Sequence, residues 1–88
     1  MKIKDGYILR SIADANIVVP IGDRIIEFNG MMTLSDISAK VWEYLQEDRT
    51  FDELLAYILS IYDIDEETAR GDLKKLIEQM DSSGVLEK

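Results

Sequence analysis

The stretch TLSDISAKVWEYLQEDRTFDELLAYILSIYDIDEETARGDL, residues 33–73, decides the fold. It predicts three short helices in quick succession, the layout of a helix-turn-helix. Ser35 is a good N-cap, since its hydroxyl oxygen accepts from an amide of the first turn, and Asp36 suits the positive end of the helix dipole. Ile37, Val41, Trp42 and Leu45 recur on one face, carrying the first helix to about Glu47. Thr50-Phe51-Asp52-Glu53 is a capping box, in which Glu53 reaches back to the Thr50 amide. Leu54, Leu55, Ile58 and Leu59 give the second helix its buried face, ending near Tyr62. Asp65 caps the third helix, with Glu66 and Glu67 in the first turn. Leu73, Leu76, Ile77 and Met80 mark its apolar side, and Gly84 fits its C-terminal stop.

Upstream the period shortens to that of strands. YILRSIA (7–13) and NIVVPI (16–21) alternate partly and favour β structure. Gly22-Asp23 predicts a two-residue loop before a strand RIIEF (24–28). Asn29-Gly30, a strong hairpin signal, precedes a strand MMTL (31–34). Pro20 has no amide proton, so it belongs at a sheet edge or bulge. VLE (85–87) predicts a short closing strand or wing. The expected fold is one α+β domain over residues 1–88, winged helix-turn-helix-like. An N-terminal antiparallel meander of three or four strands (about 7–34) precedes three helices (about 35–83) and a short C-terminal strand. A sheet this small leaves an unpaired edge, and RIIEF and MMTL are the candidates.

The composition excludes whole classes of chemistry. The chain has 88 residues, 47% hydrophobic and 32% charged, with no cysteine and no histidine. Zinc and redox-metal sites lean on those two residue types, and histidine bases or Ser-His-Asp triads cannot be built without them. Asp63 and Asp65 have the spacing of a calcium loop but lack its glycine and closing glutamate. No enzyme activity and no cofactor are expected. The N-terminus reads as no signal peptide and no apolar run is long enough for a transmembrane helix, so the cytoplasm is the expected location.

Charge argues against the usual ligand of a helix-turn-helix. The net charge is −8, which repels a phosphate backbone. The third helix would be the recognition helix, yet Arg70, Lys74 and Lys75 are outnumbered there by Glu66, Glu67, Asp72, Glu78 and Asp81. A DNA-binding winged-helix regulator is therefore the weaker alternative. A structural or dimerising domain is another, because edge strands also pair between identical chains.

From Leu34 to Glu87 the sequence resembles the PqqD family, named for the D protein of pyrroloquinoline quinone biosynthesis and also called RiPP recognition elements. The resemblance rests on Ser35 in the place of a capping Asn, Val41-Trp42, Thr50 to Glu53, Tyr62-Asp63-Ile64-Asp65, and Gly84-Val85-Leu86-Glu87. RIIEFNG reads as an addition to the family's three strands. The resemblance implies a non-catalytic peptide chaperone that binds the leader of a ribosomally made precursor and presents it to a radical SAM enzyme. With the charge and the apolar runs as they are, no nucleic-acid and no membrane partner is expected. The leader would join the sheet edge as an extra strand, its apolar side chains packing between that strand and the third helix. The candidate peptide-binding residues are Arg24, Ile25, Ile26, Glu27 and Phe28, or Met31, Met32, Thr33 and Leu34, at the edge. On the third helix they are Leu73, Lys75, Leu76, Gln79 and Met80. Most of the apolar ones also read as core, and Met31 and Met32 point to opposite faces.

Overall fold

A computed structural model describes residues 1–27 and 32–87, with the side chains of Ile26 and Glu27 outside the description. In chain order the elements are β1 (Lys2–Ile3), β2 (Tyr7–Ile12), β3 (Ala15–Pro20), α1 (Arg24–Glu27) and β4 (Met32–Leu34), then α2 (Asp36–Tyr44), α3 (Phe51–Ile61), α4 (Glu66–Ser83) and β5 (Leu86–Glu87). The α+β class, the strand meander, the three main helices and the closing strand all agree with the expectation.

The helices begin where local chemistry starts them. The Ser35 hydroxyl oxygen accepts from the Ser38 amide at 3.1 Å. Thr50 and Glu53 exchange both capping-box bonds, at 3.1 and 3.0 Å. Asp65 accepts from the Thr68 amide at 3.0 Å and from its hydroxyl at 2.6 Å. At the far end of α4, Gly84 takes φ +77°, a left-handed stop that costs a glycine little.

β2, β3 and β4 form an antiparallel sheet with β3 in the middle. Its inner face carries Leu9, Val18, Met32 and Leu34 toward the helices. Trp42, Val41, Leu45, Leu54 and Met80 are among the helix residues that meet it in the core, all of them essentially buried. The Tyr7 ring meets Trp42 edge to face, with centroids 6.1 Å apart. Tyr57 and Tyr62 are half-buried against the core, and Tyr57 stacks on Tyr44 at 4.2 Å. Pro20 pairs with Tyr7 beyond the end of β4, where the ladder on that side of β3 has stopped. β1 pairs with β5 as a separate two-stranded ribbon, pinned by Ile3 N–H to the Leu45 carbonyl and Lys4 N–H to Val85.

Two expectations are corrected. The strand RIIEF is absent: Arg24–Glu27 is a single helical turn. Gly22, at φ +58°, opens that turn instead of a hairpin, and its carbonyl accepts from the Ile25 amide at 3.2 Å. Arg24 is also drawn back to the chain start, its Nε donating to the Asp5 carbonyl at 2.8 Å. These local bonds satisfy the backbone without a neighbouring strand. Strand β1 was not foreseen. The Asn29-Gly30 hairpin, Phe28 and Met31 lie outside the described residues.

Candidate functional site

Strand β4 is the edge on the side of the sheet away from β2. Its register on β3 pairs Asn16 with Leu34, Ile17 with Thr33 and Val18 with Met32. Its other side has no strand among the described residues, which leaves main-chain groups for an incoming chain. The strand is short and its exit is fixed. The Asn16 side-chain amide donates to the Leu34 carbonyl at 3.3 Å and to Asp36 Oδ1 at 3.0 Å.

Where β4 ends, a groove begins. Ser35, the next residue, stands in its wall with Ser38, and Ile37, Ile58, Ala69, Leu73 and Leu76 supply apolar surface. Its volume is about 190 Å³, below the roughly 300 Å³ at which small-molecule pockets begin. It suits one or two side chains of a peptide. Asp72 is the charged group at its rim, while the Ser35 hydroxyl is already donating to Ser38 Oγ at 2.9 Å. An edge strand with an apolar slot at its end can take main-chain hydrogen bonds along one and a side chain in the other.

The expected site residues divide between this place and others. Leu73 and Leu76 form part of the groove wall, and Thr33 is exposed on β4. Lys75 and Gln79 are exposed and share a flank of α4 with Asp72 by helical spacing. Met32 and Leu34 turn into the core, and Met80 is wholly buried. Arg24 points toward Asp5 and lies over the Tyr7 ring at 5.9 Å, and Ile25 is exposed on α1. Neither belongs to a strand. The groove also uses Ile37, Ile58, Ile64, Ala69 and Asp72, which sequence reasoning did not assign to it. Ala69 and Asp72 were within reach of it, since they precede Leu73 and Leu76 by four residues on the same helix face.

Residues 16–86 match the family of coenzyme PQQ synthesis protein D (PqqD). The chain belongs to the PqqD family. No curated protein matches the sequence. Two solved structures share the fold. One is TbiB1 in complex with the TbiA(beta) leader peptide, at TM-score 0.77 and 22% identity, covering 99% of this chain and 95% of that one. The other is a lasso peptide synthetase B1 complexed with the leader peptide, at TM-score 0.71 and 13% identity, covering 94% and 92%. This PqqD-family chain has no helix, among the described residues, long and apolar enough to cross a membrane.

Proposed function

We propose that this chain captures the leader segment of a ribosomally made precursor peptide and presents it, without catalysis of its own, to a separate modifying enzyme. The leader adds to the free side of β4 as a further antiparallel or parallel strand. One of its apolar side chains fills the groove between α2, α3 and α4. The observation that carries this reading is the continuity of β4 with Ser35 in the groove wall: a single extended peptide can engage both at once. The leader-bound fold relatives support it. Leu73, Leu76, Lys75 and Gln79 are then the contributions of α4, with Thr33 and the β4 backbone opposite them.

The enzyme served is, by family resemblance, a radical SAM enzyme acting in the cytoplasm. The likeness to a lasso peptide synthetase component favours a second partner, a synthetase that makes a lasso peptide. Both readings place the same leader on the same edge.

Amide chemical-shift mapping tests the proposal, using leader peptides from short reading frames beside the gene. Saturable shifts centred on residues 32–38 and 69–76 are expected. Saturable shifts along β2 alone, or none with any neighbouring peptide, would overturn it. Concentration-dependent broadening of β4 without peptide would point to pairing between identical chains.

A further inference from the structure

A second and larger groove, about 610 Å³, lies between the β1–β5 ribbon and the C-terminal half of α4. Its floor is apolar, built from Met1, Ile77 and Leu86. Its rim is mostly acidic: Glu78 and Asp81 on α4, Glu87 on β5 and Asp48 from the loop before α3. Lys2 is the one basic side chain among the described lining residues, and the strand register sets it opposite Glu87. Asp48 is engaged by the Met1 amino group at 2.7 Å, which leaves Glu78 and Glu87 as the rim carboxylates for a ligand.

Three observations say what this groove takes. First, its centre is apolar and its charges are peripheral, the layout of a protein-docking surface. A small ligand of that size would need buried polar groups to orient it, and none of the described buried residues is polar or charged. Second, the last turn of α4 has no basic residue, so the negative end of the helix dipole adds to the rim. Third, the whole chain carries −8, which draws a basic surface toward it.

We infer that this groove docks a basic amphipathic segment of a partner protein, an aliphatic side chain on the Ile77–Leu86 floor with flanking lysines or arginines at Glu78 and Glu87. The site is distinct from the leader groove. Asp72 and Asp81 are about two and a half turns apart on α4, at 3.6 residues per turn, and so face opposite flanks. One helix thereby holds two ligands at once, a leader on one flank and a basic protein segment on the other.

The test uses the full chain and a synthetic amphipathic lysine–leucine peptide, with its glutamate–leucine twin as control, followed by amide NMR. Saturable shifts of Ile77, Glu78, Leu86 and Glu87 are expected with the lysine peptide, and none with the twin. The double variant Glu78→Lys/Glu87→Lys should weaken the lysine peptide by about tenfold or more, leaving Asp72 and Leu73 resonances in place. Glu66→Lys/Glu67→Lys makes the same charge change elsewhere and should alter affinity by less than about twofold. Shifts spread over the whole acidic surface would overturn the assignment. So would equal binding of the twin, or equal weakening by the two double variants.

Discussion

The side chain of Asn16 holds the carbonyl of Leu34, its register partner across the β3–β4 pair, at 3.3 Å, and reaches Asp36 at 3.0 Å with the same amide nitrogen. One side chain in the middle strand thus sets where the edge strand stops and α2 starts. Asn16→Ala should cost about 1 kcal/mol of stability, the ordinary net worth of such bonds. It should also weaken leader binding, because the edge and the groove mouth lose their fixed relation. Urea denaturation beside a peptide titration checks both. Asn16→Asp should be worse, since it sets a second carboxylate against Asp36.

Strand addition leaves a signature that side-chain docking does not. In an extended chain beside β4, alternate leader residues turn their amides toward the edge. N-methylation of a bound leader, one residue at a time, should therefore reduce affinity at every second position. The loss should be about 0.5–1.5 kcal/mol per bond removed, roughly twofold to tenfold in Kd. Calorimetry over such a series would show the alternation, whereas a helical leader lying in the groove would give none. Asp52→Lys, at an exposed position of α3 outside the groove lining, should leave the same affinities nearly unchanged.

The difference between what was legible and what was not follows from the range of each interaction. Ser35, Thr50 with Glu53, Asp65 and Gly84 signal helix ends within a few residues, so α2, α3 and α4 could be read from the chain alone. Strand β1 could not, because Lys2 and Ile3 alternate with nothing and their partners, Glu87 and Leu86, stand at the other end of the sequence. Arg24–Glu27 failed for the opposite reason. Ile25 and Ile26 are β-branched, but the turn at Gly22 and the Arg24–Asp5 bond outweigh a preference worth less than about 1 kcal/mol. At the site, Leu73 and Leu76 were legible from periodicity. Met80 was not separable from them, because helical spacing gives a face and not the depth at which each side chain ends.

The β2–β3 turn is strained in a way that can be relieved. Ile12 pairs with Ala15, leaving Ala13 and Asp14 as a two-residue loop with φ +50° and +67°. Such a turn favours Asn or Gly, because a Cβ crowds the backbone in the left-handed region. Ala13→Asn should stabilise the fold by about 0.5–1 kcal/mol and leave leader affinity alone, since neither Ala13 nor Asp14 lines the groove. Denaturant midpoints would show the gain. A loss of stability would mean the turn is held by something other than its dihedral preference.

Acid should act on the start of α4. Bonds from the Thr68 hydroxyl and amide hold the Asp65 carboxylate below its ordinary value of 3.8. A carboxylate depressed in the folded state contributes stability above its unfolded value, and loses it as the pH falls through the folded one. Asp65→Asn keeps a good cap but has neither the charge nor the titration. The native chain should thus be more stable than Asp65→Asn near pH 7, and the gap should close as the pH falls below about 3.9. Denaturation of both chains across that range removes the shared titration of the other acids from the comparison. A gap that stays constant from neutral to acid pH would show that Asp65 acts as a neutral cap alone.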